Sequence, residues 1–261
     1  MPTGEKAPAQ SAASLGYAPT PTHPQRVWCE VLLLVRYHLR LLNWWLLLLM
    51  ALSFLGAGLL VWLPLHAGGS EGLRQAIGLS RFVLEPGVGL LAAMLASSLI
   101  VGDPLLEVTM ATRAGIHRLM LWRALLTFLL LLCCSAAFLI WSLARGISYA
   151  RQQNLLSLLL LWLAPVLVMG MLGLFGSLVT RNAALGLVIA AVPLAGSVFL
   201  YQKLVSIPAT HPFFISYTSS GGQDAPDWWI NRLTLLGIAV ALGVWNWWLL
   251  RREERLLGSE Q

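Results

Sequence analysis

Side chains able to do acid–base or nucleophilic chemistry are few in this sequence of 261 residues. An enzyme would have to rely on His211 or on the pair Asp224 and Asp227, which lie between two apolar runs. The sequence contains no His-Glu-x-x-His or Gly-x-x-x-x-Gly-Lys motif, and so offers no zinc-protease site or P-loop. His211 stands alone beside Pro212, which favours a structural role over ligand binding. We therefore assign no catalytic, cofactor-binding or metal-binding residue, and an intramembrane enzyme is the least supported hypothesis.

The stretch 102–123 is more elaborate than a simple connection between two membrane spans requires. Asp103-Pro104 is typical of a helix start, because aspartate caps the first turn and proline fits the first helical position. The apolar positions between 105 and 110 would then lie in the membrane interface, with Glu107 pointing outward. A short amphipathic helix of this kind can transmit motion from a cytoplasmic partner. A surface connector without that role is the alternative.

A second long connection runs from position 203 to position 232. It contains His211 and Phe213 around a proline, and then a Ser/Gly run at 219–222. Trp228 and Trp229 follow Pro226 and are predicted to begin a helix whose aromatic side chains dip into the outer leaflet.

The composition indicates which kind of secondary structure must position these segments. The chain is 58% hydrophobic and 11% charged, with a mean hydropathy of +0.75, whereas an average soluble domain is roughly 25% charged. Leucines run together instead of alternating with polar residues, which predicts an all-α integral membrane protein and excludes a soluble enzyme. Because a spanning helix needs about 20 apolar residues, six spans are predicted: 44–65, 84–101, 119–143, 155–179, 183–201 and 233–250.

Charge is almost absent from the predicted spans. Arg123 is the charge well inside a span, and it lies one turn from the inner end, within reach of the interface. Glu85 and Pro86 are placed at the start of the second span. This distribution argues against a carrier that moves protons through a buried carboxylate.

The termini flank the predicted membrane domain, which covers 27–257. Residues 1–26 are rich in proline and small polar residues and are predicted to be a disordered cytoplasmic tail, and 258–261 form a short C-terminal tail. The stretch 27–41 mixes apolar and charged residues, which favours a helix in the membrane interface over a cytoplasmic extension of the first span.

Orientation follows from the basic residues, which give the chain a net charge of +6. With both termini inside, eleven of the seventeen Lys and Arg residues lie on the cytoplasmic side and six lie outside. The excess of basic residues is therefore attributed to loops that face the lipid bilayer, and no nucleic-acid partner is expected.

Together these features resemble the membrane subunits of type-2 ABC transporters, the ABC-2 permease family. In that family an interfacial helix precedes six spans, both ends are cytoplasmic, a coupling helix joins spans two and three, and an extracellular segment precedes the last span. Asp103 and Glu107 match acidic positions of the family's cytoplasmic pattern, while Arg118 and Arg123 match its basic positions.

The resemblance covers about 27–257 and includes the stretches 176–182 and 250–256. It departs from the family pattern at Arg113, where a proline is usual, and at 105–106, where Leu-Leu replaces Gly-Thr. The resemblance implies that charged residues of the 102–123 stretch couple the chain to a separate ATPase subunit: Asp103, Glu107, Arg113, Arg118 and Arg123.

That ATPase subunit would bind ATP and Mg²⁺, so no cofactor is expected in this chain and the missing P-loop is accounted for. Two permease subunits, a second copy or a paralogue, would enclose the path of an exported amphipathic or lipid-like substrate. A membrane anchoring or assembly protein that binds a partner but moves nothing is the alternative.

Overall fold

We analysed a computed structural model, which describes residues 44–99, 116–149, 154–218 and 226–258. Every regular element in these ranges is helical. In chain order the elements are α1 (Trp44–Ala67), α2 (Gly69–Phe82), a π-helical turn (Val83–Gly87), α3 (Val88–Ser98), α4 (Ile116–Ala144), α5 (Leu155–Thr180), α6 (Ala183–Phe199), α7 (Tyr201–Val205), a 3₁₀ helix (Pro208–Phe213) and α8 (Trp228–Gly258).

Five helical stretches are long and apolar enough to cross a membrane: α1, the continuous run from α2 to α3, α4, α5 and α8. This confirms the prediction of a helical membrane protein. Four of the predicted spans (44–65, 119–143, 155–179 and 233–250) lie within α1, α4, α5 and α8. The fifth predicted span corresponds to α6, an apolar helix of 17 residues.

The second predicted span starts earlier than expected. Instead of beginning at position 84, the helix begins at Gly69 and continues through the π-helical turn to Ser98. Gly72, Ala76 and Ser80 recur every fourth residue and form the buried face of α2. A Cβ on Gly72 would lie 2.3 Å from the carbonyl oxygen of Pro64 in α1, so this close approach requires glycine. Pro86, which was placed at the start of the second predicted span, lies inside the π-helical turn.

Helix α5 lies at the centre of the bundle and packs against α3, α6 and α8. Small residues allow this packing: a Cβ on Gly173 would lie 2.4 Å from the carbonyl oxygen of Ala93 in α3, and one on Gly176 would lie 2.8 Å from Cα of Gly186 in α6. Helices in membranes associate closely through such small residues, because backbones can then approach each other.

A tight turn joins α5 to α6. Arg181 takes the left-handed conformation (φ 52°) that often ends a helix. Asn182 then caps α6, as its Oδ1 accepts hydrogen bonds from the backbone N–H groups of Ala184 (2.9 Å) and Leu185 (3.3 Å). These two residues reverse the chain, so α5 and α6 form a helical hairpin.

Several sequence predictions lie outside the described residues. These are the tail 1–26, the interfacial helix at 27–41, and the coupling positions Asp103, Glu107 and Arg113. Of the predicted C-terminal tail 258–261, Gly258 ends α8 and the rest lies outside the described part of the chain.

Candidate functional site

A buried ion pair joins the second and the last of the long apolar helices. Glu85 lies in the π-helical turn, and Arg232 lies in the second turn of α8. Nη2 of Arg232 donates to Oε1 of Glu85, and both side chains are fully buried. Burial of two opposite charges is stable only when they are paired, so each residue depends on the other.

Thr218 completes this cluster at the end of the segment 201–218, which we call the connecting segment. Its backbone N–H donates to Oε1 of Glu85 at 3.0 Å, and its hydroxyl oxygen accepts from Nε1 of Trp228 at 3.0 Å and from Nη2 of Arg232. The guanidinium of Arg232 lies over the ring of Trp228, 5.4 Å from the ring centroid. The cluster of Glu85, Thr218, Trp228 and Arg232 therefore fastens three elements together: the π-helical turn, the connecting segment and α8.

A second polar cluster holds the middle of the connecting segment. His211 Nδ1 and Asp227 Oδ2 are 2.5 Å apart, and the hydroxyl of Tyr217 donates to Oδ1 of Asp227 at 2.7 Å. Burial alone would raise the pKa of Asp227, but the hydrogen bonds from Tyr217 and His211 outweigh it and hold the pKa of this carboxyl below its ordinary value. Both carboxylate oxygens are thus used to hold the segment.

Asn231 fastens the same segment to α8. Its Nδ2 donates to the backbone carbonyl oxygens of His211 (2.6 Å) and Phe214 (2.9 Å). Its own backbone N–H donates to the carbonyl oxygen of Asp227 at 3.0 Å, which begins the helical ladder of α8. The carbonyl groups at the end of the 3₁₀ helix are therefore satisfied by a side chain of the neighbouring helix.

The predicted residues of this region fall into two environments. Phe213 and Trp229 are exposed, whereas Trp228 is 6% exposed. The prediction that both tryptophans dip into the outer leaflet is wrong for Trp228, because its indole N–H is bonded to Thr218 and its ring packs under Arg232.

The predicted distribution of charge also needs correction. Glu85 is not at the start of a span but deep in a helix that begins 16 residues earlier at Gly69, and it is buried together with Arg232. Arg123, expected to reach the interface, is 8% exposed within α4. Arg118 lies in the first turn of the same helix.

Sequence reasoning did not single out Thr218, Tyr217 or Asn231. A signal was nevertheless present for the ion pair, because Glu85 and Arg232 are opposite charges that each border a predicted apolar span. Ionisable residues at such positions usually pair with each other. Among the residues that the structure describes, no group of three or more His, Cys, Asp or Glu side chains is arranged to hold a metal ion.

We expect the second polar cluster, formed by His211, Tyr217 and Asp227, to stabilise the protein in a pH-dependent way. Asp227→Asn should lower the free energy of unfolding at pH 7 by about 1 kcal/mol, because a partly exposed pair contributes little more. A lowered pKa gives stability that is present above the unfolded-state value, about 3.9, and is lost as pH falls through the folded-state value. The difference between the two proteins should therefore persist down to about pH 4 and disappear at lower pH.

Thermal unfolding of both proteins between pH 6 and pH 3 measures this difference. Tyr217→Phe removes one of the two side-chain donors to Asp227, so the pKa of the folded state rises toward its ordinary value. In that variant the loss of stability should be smaller and should be complete at a higher pH. A difference that stays constant down to pH 3 would contradict the assigned role of Asp227.

No protein-family model, no curated protein and no solved structure matches this chain.

Proposed function

We propose that this chain is the six-span membrane subunit of an ATP-driven transporter of the ABC-2 type, with both termini in the cytoplasm. The observation that carries the proposal is the connecting segment between α6 and α8. It folds into α7 and a 3₁₀ helix, and two polar clusters fasten it to the bundle. An ordered extracellular segment before the last span is what the resemblance to ABC-2 permeases implies.

The order of apolar helices supports the same proposal. Five helical stretches are long enough to span, and α6 would supply the sixth span because 17 residues lie at the lower limit of spanning length. An even number of spans places both termini on one side. The excess of basic residues in the predicted inner segments makes that side the cytoplasm.

Energy would come from another chain. The 261 residues contain no P-loop motif, so ATP and Mg²⁺ would be bound by a separate ATPase subunit. That subunit would dock on the stretch around Asp103, Glu107 and Arg113. Two permease subunits, identical or paralogous, would enclose the path, and an amphipathic or lipid-like substrate suits spans that carry so few charges.

Helix α4 is the element that would carry the motion from the ATPase into the bundle. It begins at Ile116, directly after the docking stretch, and continues without interruption for 29 residues, about 43 Å at the usual helical rise. It packs against α3 and α8, the helices next to the Glu85–Arg232 pair. Movement at the cytoplasmic end of α4 would therefore reach the connecting segment at the other end.

Purification of the tagged chain in mild detergent, followed by mass spectrometry of the co-purifying proteins, tests the proposal. A stoichiometric partner that carries a P-loop is the expected result. A chain that is recovered alone or with non-ATPase proteins, even after cross-linking in native membranes, would overturn the proposal and favour the anchoring or assembly protein.

Within the complex, Glu107→Lys is expected to uncouple the two subunits without separating them. The substitution reverses a charge at the docking surface, and a typical coupling free energy corresponds to a change of roughly 5- to 150-fold. The stimulation of the partner's ATPase rate by the membrane subunit should fall by that factor, while the amount of co-purified partner stays the same.

Glu71→Lys is the matched control, because Glu71 is an exposed glutamate in the first turn of α2, far along the chain from the docking stretch. It should leave the ATPase rate unchanged. Equal effects of the two substitutions would contradict a docking role for Glu107.

A further inference from the structure

A groove of about 490 Å³ lies between α1 and α4. Its walls are mostly apolar, and its lining residues come from positions 54–62 of α1 and from positions 134–145 of α4 and the turn that follows it. The rings of Phe54 and Phe138 have centroids 6.3 Å apart, and Trp62 and Trp141 also line the groove. From position 54 to position 62, α1 rises about 12 Å.

The groove is open because small residues line its middle. A Cβ placed on Gly58 would meet no atom within 4 Å, and Ala137 on the facing wall of α4 is exposed. Neighbouring leucines of α1 are also exposed, including Leu55 and Leu59, so this face of the bundle is turned toward its surroundings. In a protein whose long helices span a membrane, those surroundings are lipid chains.

The lining of the groove also includes a cation and two indole rings. Arg145, in the turn after α4, lines the groove and is exposed, and its guanidinium lies over the ring of Trp141 at 6.0 Å from the centroid. Within the described part of the chain, Arg145 makes no ion pair. The ring of His66 stacks on Trp62, with centroids 4.8 Å apart and planes at 17°. Indole rings of this kind favour the headgroup level of a bilayer.

We propose that this groove binds one acyl chain of a phospholipid with an anionic headgroup, and that Arg145 binds the headgroup. The apolar walls match an acyl chain, and the volume lies in the usual range for small-molecule sites, about 300–1,000 Å³. A guanidinium forms strong charge-assisted bonds with phosphate oxygens. Trp141, whose ring lies under the guanidinium of Arg145, would then lie where the acyl chain meets the headgroup. This lipid site is independent of the proposed transport function.

The preference for an anionic headgroup is tested by native mass spectrometry of the full chain. The protein is purified from bicelles that contain equal amounts of phosphatidylglycerol and phosphatidylcholine. The wild-type protein should retain phosphatidylglycerol over phosphatidylcholine by about fivefold, the effect of one arginine near an anionic headgroup. Arg145→Gln should still retain lipid but without this preference. An unchanged preference in Arg145→Gln would overturn the assignment of Arg145.

The acyl-chain site is tested by Gly58→Leu, which fills the groove. Gly56→Leu is the matched control, because Gly56 lies on the same helix, has equal space for a side chain and does not line the groove. Both variants should keep the wild-type thermal unfolding midpoint, but Gly58→Leu should lose the retained lipid. Lipid retention equal to that of the control would overturn the proposal. So would a shift from dimer to monomer in Gly58→Leu with lipid retention unchanged, since the groove would then be an interface between copies.

Discussion

Glu85→Leu is expected to lower the free energy of unfolding by about 3–5 kcal/mol, the cost of leaving one partner of a buried ion pair uncompensated. Arg232 would then be a fully buried cation without its carboxylate. Within the part of the chain that the structure describes, Nε and Nη1 of Arg232 already have no hydrogen-bond partner, so the remaining contacts to Thr218 and Trp228 offer little compensation. The folded fraction should fall sharply.

The double substitution Glu85→Leu with Arg232→Leu separates charge from packing. When both charges are replaced by apolar residues, the penalty for an unpaired buried charge is removed, and stability is expected to return close to that of the wild type. Glu71→Gln, at an exposed position of α2, serves as the control and should change stability by no more than about 0.5 kcal/mol.

Equilibrium unfolding in mild detergent micelles, titrated with SDS, measures these differences. The expected order of stability places Glu85→Leu well below both the double variant and Glu71→Gln. If Glu85→Leu were as stable as Glu71→Gln, the pair would not hold the connecting segment to the bundle.

Gly173→Ala is expected to have an effect of similar size through packing alone. Its methyl group would lie 2.4 Å from the carbonyl oxygen and 2.8 Å from Cα of Ala93. These are backbone atoms of α3, so no rotation of a side chain can relieve the contact and the two helices must move apart. Overpacking of this kind costs about 3 kcal/mol.

Gly237→Ala provides the opposite case on α8. This glycine is exposed, and an added Cβ would meet no atom within 4 Å. Replacing a helical glycine at an unstrained position raises stability by about 0.4–1 kcal/mol, because it restricts the unfolded chain. Thermal unfolding midpoints followed by size-exclusion chromatography should therefore shift in opposite directions for the two variants, and shifts of equal sign and size would contradict the close approach of α3 and α5.

The sequence was sufficient to predict the class of the fold and most of its apolar helices, because long uncharged runs have few other stable conformations in a membrane. It was insufficient for α2, where Gly69, Glu71 and Arg74 resemble a loop. The buried face of this helix is a stripe of small residues, Gly72, Ala76 and Ser80. The stripe is recognisable as a packing face only when α1 is seen to lie against it. Such a contact is tertiary, because it depends on the position of α1.

The polar clusters were harder to predict for a related reason. Glu85 and Arg232 are separated by 147 positions and Glu85 and Thr218 by 133, so their pairing depends on the packing of whole helices. The alignment of Glu85 also depends on the π-helical turn, since one extra residue in a helical turn rotates the side chains that follow. His211 and Asp227 are closer in sequence, but they were named from the sequence as separate candidates, with Asp227 paired to Asp224, and Tyr217 was not included.

The short length of α6 has a consequence for the bilayer itself. At 17 residues this helix rises about 26 Å, whereas the hydrocarbon layer of a typical bilayer is about 30 Å thick. A membrane that accommodates α6 as a span must therefore become thinner beside it. The longer helices α4 and α8 cross the same bilayer at its full thickness, or by tilting. The protein would then deform the membrane asymmetrically, and its surroundings would be enriched in lipids with shorter chains on the α6 side alone.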